Sequence, residues 1–284
     1  MTFGPLVSTE WLAAHLDDAD VKIVDGSWRM PGQGAAIETY NAQHIPGAVF
    51  FDIDAIADQE THLPHMLPSP SQFAQAMEDL GISDQDRVVV YDEKGLFSAA
   101  RVWWTFRAMG HETVAVLDGG LPRWRAEGRP VTAEKTIPTQ MKYTPRPQPA
   151  LVADAAAVRE ALKGAKTVID ARSAERFAGK AADPRPGVRA GHMPGARNTP
   201  FLSLLDGDAL KPVADLSAIF TDAGITPETP VITSCGSGVT AAVLSLALEL
   251  TGSRSHALYD GSWSEWGEET NDDAIFPVVA DTDG

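Results

Sequence analysis

The sequence predicts an α/β protein of two tandem domains, in each of which helices cover both faces of a parallel sheet. The chain has 284 residues, its two halves repeat one another, and short β-branched runs alternate with amphipathic segments. At roughly 100–200 residues per domain, the length favours two domains. Strands that alternate with helices along a chain are typical of parallel sheets.

The duplication sets the expected domain boundaries. The segment His44–Ala48 recurs as His192–Ala196, and Asp118-Gly119 recurs as Asp260-Gly261, in the same order and at nearly the same spacing. A repeat this long is a whole domain and not a solenoid unit. We therefore expect a first domain over residues 1–128, an extended proline-bearing linker over 129–149 and a second domain over 150–284.

Each copy shows the alternating pattern. Apolar, β-branched runs predict strands at Lys22–Asp25, Arg87–Tyr91, Thr113–Leu117, Thr167–Asp170 and Pro230–Ser234. Amphipathic segments predict helices at Glu10–Leu16, Ser71–Leu80, Ala99–Met109, Asp154–Leu162, Leu216–Ala223 and Val239–Leu250. The strand runs are almost wholly apolar, as expected when helices cover both faces of the sheet.

Composition disfavours several classes of function. The content of 44% hydrophobic and 22% charged residues is typical of globular proteins. A net charge of −16 disfavours nucleic acid and anionic membranes as partners. The segment Met1–Leu16 lacks the basic and apolar stretches of a signal peptide, so we expect a cytoplasmic protein without a membrane span. One cysteine forms no internal disulfide, and no zinc-like spacing occurs, so we expect no metal or cofactor.

The duplication separates fold residues from candidate catalysts, because a residue present in both copies is expected to serve the fold. His44 and His192 occupy matching turns and are interpreted as structural. The same interpretation applies to Asp25, Asp170, Trp124 and Trp266.

Cys235 is the strongest candidate for chemistry, because the first copy has Asp92 at the matching position. The cysteine follows a predicted strand and precedes a predicted helix, and we expect Gly236 and Gly238 to provide positive φ angles in the loop between them. Backbone N–H groups of such a loop, together with the helix dipole, stabilise anionic sulfur. We expect Cys235 to act as a nucleophile.

These residues carry a resemblance to a known family. The loop Cys235–Thr240 is similar to the catalytic loop of the tandem-domain rhodanese-like sulfurtransferases, in which only the second domain carries the cysteine. Four further segments resemble that family: Asp52–Asp54, His65–Pro68, Ser98–Trp104 and Tyr259–Trp266. The resemblance covers nearly the whole chain and implies two rhodanese-like domains, of which the first lacks the catalytic cysteine.

The resemblance implies a two-step sulfur transfer. The Cys235 thiolate would take sulfur from 3-mercaptopyruvate, release pyruvate, and pass the persulfide sulfur to a thiol acceptor, such as a thioredoxin-like protein, or to cyanide. By resemblance, Arg176 and Arg185 bind the donor carboxylate, for which a planar guanidinium is well suited. The loop residues Gly236, Gly238, Val239 and Thr240 are also assigned to donor binding. Arg172, nearer the strand end, competes for the arginine role and is interpreted as structural.

The resemblance also implies a proton relay of Ser237, His65 and Asp54. His62 and Asp52 are nearby alternatives for the last two positions. His65 and Asp54 lie in the first copy, so we expect the active site between the domains.

Three alternatives remain beside this interpretation. A phosphatase of the same fold uses a Cys-x5-Arg loop, but the arginine position is Ala241 here. A thiosulfate sulfurtransferase differs only in its donor, and its loop typically carries basic residues where this chain has Gly236 and Ser237. A tandem scaffold without catalysis would not need Cys235.

Overall fold

The computed structural model of the chain describes residues 3–253 and 255–281. It divides into two compact units, the first of Met1–Gln59, Leu67–Gln148 and Asp206–Leu210, and the second of Glu60–Met66, Pro149–Leu205 and Lys211–Gly284. A short segment of each half therefore packs with the other half's unit. Residues 1, 2, 254 and 282–284, which the predicted domains include, lie outside the described part, and the domain boundaries stay a prediction.

The first unit is built on a parallel five-stranded sheet in the order β1-β5-β4-β2-β3. Its strands are β1 (Leu6–Val7), β2 (Val21–Asp25), β3 (Val49–Phe50), β4 (Arg87–Tyr91) and β5 (Val114–Leu117). Its helices are α1 (Thr9–Ala14), α2 (Ala36–Ala42), α3 (Pro70–Asp79), α4 (Ala99–Ala108) and α5 (Gly120–Ala126).

The second unit repeats this plan, with a parallel sheet in the order β6-β12-β11-β7-β8. Its sheet strands are β6 (Val152–Ala153), β7 (Thr167–Asp170), β8 (Arg197–Asn198), β11 (Val231–Ser234) and β12 (His256–Tyr259). Its helices are α6 (Ala155–Glu160), α7 (Ala174–Phe177), α8 (Val213–Asp222), α9 (Ala241–Leu250) and α10 (Ser262–Trp266). A two-stranded ladder, β9 (Leu205–Asp206) with β10 (Ala209–Leu210), precedes α8.

The predicted α/β fold is confirmed, and the predicted strands and helices occur with ends that differ by at most three residues. The four outer strands β1, β3, β6 and β8 were not predicted, because two residues are too few to show a pattern. Strand β12 (His256–Tyr259) and the short helices α2, α5, α7 and α10 were also not predicted. The helix after Cys235 begins at Ala241, two residues later than predicted.

Matching histidines serve the same purpose in both units. The backbone N–H of His44 donates to the carbonyl of Thr132 across 2.9 Å, and that of His192 donates to the carbonyl of Val279 across 2.8 Å. Each imidazole stacks on an aromatic ring of its own unit. Each histidine thus binds a segment that follows the last helix of its own unit, at Thr132 and at Val279, which agrees with the interpretation of both as fold residues.

The matching tryptophans bind the same two segments. The indole N–H of Trp124 donates to the carbonyl of Pro130 across 2.7 Å, and that of Trp266 donates to the carbonyl of Pro277 across 2.9 Å. Both side chains are fully buried. A buried indole needs such a partner for its N–H.

The second sheet has a topological switch point between β7 and β11. The chain leaves β7 towards β8 on one side and leaves β11 towards β12 on the other. In open parallel sheets, ligands bind beyond the carboxyl ends of the strands at such a point. The loop that begins at Cys235 follows β11 there, and α7, which contains Arg176, follows β7.

Candidate active site

Cys235 is a free, buried cysteine at the carboxyl end of β11, with 2% of its surface exposed. Its backbone is held by the turn into α10. The Cys235 N–H donates to Oγ of Ser262 across 3.2 Å, and its carbonyl accepts from the N–H of Trp263 at 3.0 Å. The thiol therefore sits on a fixed backbone at the start of the loop.

Helix α10 also fixes the next residue of the loop. The carbonyl of Gly236 accepts from the backbone N–H of Ser264 at 2.8 Å and from its hydroxyl at 2.7 Å. Two successive loop carbonyls are thus bound by the segment Tyr259–Trp266. The first copy has the matching backbone hydrogen bond from Leu121 to Asp92, so this contact belongs to the fold of both copies.

The two loop glycines have different functions. Gly238 has φ = +79°, as predicted, whereas Gly236 is not among the residues with positive φ, so that prediction was wrong. A Cβ at Gly236 would lie 3.1 Å from Nη2 of Arg176 and 3.5 Å from Nη1 of Arg185. A side chain at position 236 would therefore require the Arg176 guanidinium to shift by a few tenths of an ångström, whereas Arg185 would lie at ordinary contact distance.

Arg176 and Arg185 are brought together at the catalytic loop. Nη2 of Arg185 donates to Oγ of Ser237 across 2.9 Å. Arg176 lies on α7, its side chain is 25% exposed, and its Nη2 forms an ion pair with Asp183. The structure thus groups both predicted arginines, Ser237 and Gly236 around one loop of the second unit.

The remaining loop residues complete the turn into α9. Val239 is 3% exposed, and Thr240 precedes the first helical residue, Ala241. Their position at the start of a ten-residue helix places the helix dipole behind the loop. Their predicted part in donor binding stays a prediction.

Arg172 has the contacts of a structural residue. It is 3% exposed, and its guanidinium binds both carboxylate oxygens of Asp170, with Nη2 2.8 Å from Oδ2. Nη2 also donates to the carbonyl of Gly191, and the group stacks over the ring of Trp263 at 4.2 Å. Because its guanidinium makes all of these contacts within the unit, Arg172 agrees with its interpretation as a structural residue.

His65 and its rival His62 both lie in the segment Glu60–Met66, which packs with the second unit although it belongs to the first copy in sequence. His65 is 7% exposed and has φ = +62°, a left-handed conformation that is uncommon for residues other than glycine. His62 is 75% exposed, and its Nε2 lies 2.5 Å from Oε1 of Glu268. Burial and an uncommon backbone conformation favour His65 as the functional histidine.

Asp54 and its rival Asp52 lie in the first unit. Oδ1 of Asp52 accepts from the N–H groups of Asp54 at 3.0 Å and Ala55 at 3.2 Å, so this carboxylate stabilises a turn. Oδ2 of Asp54 accepts from the indole N–H of Trp28 at 3.0 Å. Asp52 is thus engaged locally, and the pairing of Asp54 with His65 stays a prediction.

The corresponding loop of the first unit is filled by its own carboxylate. Asp92 accepts the backbone N–H groups of Lys94, Phe97 and Ala99, each across 2.8 Å. Burial raises the pKa of Asp92, and these hydrogen bonds oppose the rise. The first-unit loop is therefore occupied by its own carboxyl group, where the second unit has the thiol of Cys235.

Two residues of the site were missed by the sequence interpretation. Asp183 binds Arg176 and also accepts the backbone N–H of Arg185, and Ser262 accepts the N–H of Cys235. Asp183 stands two residues before Arg185, the spacing at which aspartate side chains bind backbone N–H groups. Ser262 matches Gly120 of the first copy, and both have φ = +50°.

Within residues 3–253 and 255–281, no group of three or more His, Cys, Asp or Glu side chains is arranged to hold a metal ion. No helix in the same described part is long and apolar enough to cross a membrane.

Known proteins share this architecture and sequence. The family model of the rhodanese-like domain matches residues 8–127 and 154–269. The 3-mercaptopyruvate sulfurtransferase of Escherichia coli (strain K12) is 43% identical over 265 residues, which cover 92% of this chain and 94% of that protein. The mitochondrial thiosulfate/3-mercaptopyruvate sulfurtransferase 1 of Arabidopsis thaliana is 43% identical over 292 residues, which cover 94% of this chain and 77% of that protein.

A solved structure agrees with both sequence matches. The crystal structure of SseA from Escherichia coli, described among 3-mercaptopyruvate sulfotransferases with the rhodanese fold, matches with a TM-score of 0.84 at 40% identity. The match covers 92% of this chain and 99% of that chain. The chain therefore belongs to the rhodanese family and is a sulfurtransferase with two rhodanese-like domains.

Proposed function

We propose that the chain transfers sulfur from 3-mercaptopyruvate to a thiol acceptor or to cyanide, with Cys235 as the carrier. The thiolate attacks the donor sulfur, a sulfur–sulfur bond forms, and the carbon–sulfur bond breaks. The electron pair of that bond leaves with the carbon as the enolate of pyruvate, which takes up a proton at carbon. In the second step, the acceptor attacks the outer sulfur of the persulfide and the Cys235 thiolate is regenerated.

The observation that carries this proposal is the convergence of two arginines on the loop of the single cysteine. Arg176 and Arg185 approach Gly236, the residue directly after Cys235. A donor whose carboxylate binds these guanidinium groups has its sulfur beside the thiol. The two guanidinium groups, less the one charge of Asp183, leave a local positive charge that acts at contact range, whereas the distant carboxylates behind the net charge of −16 are screened over a Debye length of about 8 Å.

Ser237, His65 and Asp54 are proposed as the proton relay for the departing carbon. The hydroxyl of Ser237 accepts a hydrogen bond from Arg185, so its own proton remains to be donated to another group. His65 is buried and belongs to the same unit as Ser237, which supports its part in the relay. Asp54 would orient His65 in the manner common to Asp–His pairs.

Thiosulfate is the alternative donor. The Arabidopsis relative has both donors in its name and is as similar to this chain as the relative named for 3-mercaptopyruvate alone. Overall sequence identity therefore does not distinguish the two donors. The charge of the residues in the catalytic loop is the feature that does. Gly236 and Ser237 add no positive charge for a dianion, which favours the monoanionic carboxylate donor.

A side-by-side assay of the purified chain tests the proposal. Pyruvate release from 3-mercaptopyruvate is compared with thiocyanate formation from thiosulfate and cyanide, at matched enzyme concentration. A higher kcat/KM with 3-mercaptopyruvate supports the proposed donor. A higher kcat/KM with thiosulfate would assign the alternative, and no turnover of either donor would contradict the transfer itself. The thioredoxin-like acceptor and the cytoplasmic location stay predictions.

A further inference from the structure

Asp183 lies between the two arginines of the site and contacts both. Its Oδ2 pairs with Nη2 of Arg176, and its Oδ1 accepts the backbone N–H of Arg185 at 3.0 Å. The carboxylate is almost wholly buried, with 3% of the side chain exposed. A buried carboxylate is stable only when it is paired and hydrogen-bonded in this way.

We propose that Asp183 is a positioning and specificity-determining residue of the sulfur-transfer site, which favours a monoanionic donor over a dianionic one. This inference rests on the proposed function, because it concerns the donor that Arg176 and Arg185 bind. The positioning part follows from geometry and the specificity part follows from charge.

The geometry fixes both guanidinium groups through one carboxylate. Asp183 holds the end of the Arg176 side chain at the loop, where Nη2 lies 3.1 Å from a Cβ built at Gly236. It also fixes the backbone of Arg185, whose side chain then reaches Oγ of Ser237. Loss of the carboxylate would leave Arg176 free to adopt other rotamers, and the donor would be held less well.

The charge of Asp183 reduces by one unit the positive charge that the arginines present to the donor. Coulomb energy scales with the product of the charges, so one added positive unit stabilises a dianion about twice as strongly as a monoanion. Thiosulfate is a dianion, whereas 3-mercaptopyruvate has a single carboxylate. Asp183 therefore penalises thiosulfate more than 3-mercaptopyruvate, in addition to the neutral loop residues Gly236 and Ser237.

Two neutral variants and one charged variant test this inference. Asp183→Asn removes the charge at nearly constant shape, and Asp183→Ser removes it while its hydroxyl still reaches the N–H of Arg185. In both, we expect the ratio of kcat/KM for 3-mercaptopyruvate to kcat/KM for thiosulfate to fall on the order of tenfold, because the lost negative charge favours the dianion more than the monoanion. Asp183→Glu keeps the charge and should restore the wild-type ratio to within about threefold.

A matched control removes one negative charge from another arginine pair of the same unit. Asp273 pairs with Arg189 and has 85% of its side chain exposed. Asp273→Asn changes the net charge equally, so its donor ratio should equal that of the wild type. Raised ionic strength should shrink the effect of Asp183→Asn, because the effect is electrostatic.

The outcomes separate this inference from the proposed function. A wild type that turns over neither donor would contradict the function itself. If the wild type turns over donor and both folded neutral variants keep its ratio, the inference is overturned and the function stands. An equal shift in Asp273→Asn would also overturn it, since the effect would then be one of net charge. Circular dichroism and thermal unfolding identify the folded variants. Should Asp183→Asn not fold, the donor ratio of Asp183→Ser is the test.

Discussion

Arg185 donates a hydrogen bond from Nη2 to Oγ of Ser237 across 2.9 Å, and this contact joins one of the two arginines proposed to bind the donor to the loop of Cys235. The hydroxyl accepts from a permanently charged donor, so its own proton is not used in this contact. In the proposed function, Ser237 therefore contacts a donor-binding arginine and also belongs to the proton relay.

Replacement of Ser237 separates the two donors. In Ser237→Ala, we expect kcat/KM for pyruvate release from 3-mercaptopyruvate to fall about a hundredfold, in the range of general acid–base contributions. Thiosulfate turnover should fall less, because sulfite leaves as a stable anion that needs no proton at carbon. Steady-state kinetics with both donors measure the two effects, and Ser217→Ala on the exposed face of α8 is the control. Equal losses for both donors would remove Ser237 from the relay.

Arginine geometry is tested with lysine, which keeps the charge and loses the planar fork. Arg176→Lys and Arg185→Lys should each lower kcat/KM for 3-mercaptopyruvate about ten- to a hundredfold, the equivalent of about 1.5–3 kcal/mol for a charge-assisted hydrogen bond. Arg159→Lys, at an arginine that stacks on Phe276 in the same unit, should have wild-type kinetics. Donor kinetics within twofold of wild type in both site variants would show that the donor carboxylate binds elsewhere.

Ser262 is predicted to hold the backbone of Cys235 at the cost of local strain. Its hydroxyl accepts from the N–H of Cys235 and donates to the carbonyl of Tyr259, while its φ of +50° is unfavourable for any residue with a side chain. Ser262→Ala loses both hydrogen bonds and keeps the strain. We therefore expect its free energy of unfolding to be lower than that of the wild type by about 1–3 kcal/mol. Ser262→Gly also loses the bonds but relieves about 1–2 kcal/mol of strain.

Urea unfolding and the rate of Cys235 alkylation measure the effect of these Ser262 variants. The order of stability should be wild type, then Ser262→Gly, then Ser262→Ala, and both variants should change the alkylation rate. The precedent for glycine is Gly120, which has the same φ in the first copy. An alanine variant as stable as the glycine variant would mean that the strain is not relevant to stability.

A buried carboxyl in the first unit gives the stability a defined pH dependence. Burial raises the pKa of Asp25 to about 6, against hydrogen bonds from Ser27 that lower it. The folded state therefore holds a proton that the unfolded state loses near pH 4, so this group's contribution to stability is present below that pH and is lost as the pH rises to about 6. The loss amounts to ~3 kcal/mol.

Urea unfolding of the wild type and Asp25→Asn between pH 4 and pH 7 tests this dependence. Since the amide does not titrate, the stability of Asp25→Asn relative to the wild type should increase across that range. Asp170→Asn, at the matching position, should instead destabilise at every pH, because it leaves the buried Arg172 guanidinium without its carboxylate. Parallel pH profiles of wild type and Asp25→Asn would contradict the assignment.

The sequence predicts those parts of the molecule that have a pattern. Strands such as Arg87–Tyr91 are apolar runs long enough to recognise, and the duplication identifies Cys235 because Asp92 replaces it in the first copy. Strands of two residues such as Val49–Phe50 have no such pattern. Gly236 was interpreted through φ, whereas what distinguishes it is the close approach of a guanidinium group, and close approach depends on tertiary packing.

Asp183 and Ser262 each act on a residue that the sequence did identify, Asp183 on Arg176 and Ser262 on Cys235. Ser262 was missed because it lies 27 residues from Cys235, and single-sequence patterns do not report such contacts. Asp183 lies only seven residues from Arg176 and two from Arg185, so its spacing was a signal that the sequence interpretation did not use. A comparison of the two copies at Ser262 and Gly120 would have been the available signal.

The central claim, that Cys235 carries the transferred sulfur, is tested most directly by intact-mass spectrometry after donor treatment without acceptor. The wild type should gain the mass of one sulfur atom with 3-mercaptopyruvate and lose it when a thiol acceptor is added, while folded Cys235→Ser gains none and releases no pyruvate. An unmodified wild type that nevertheless releases pyruvate, or an active Cys235→Ser protein, would contradict the account.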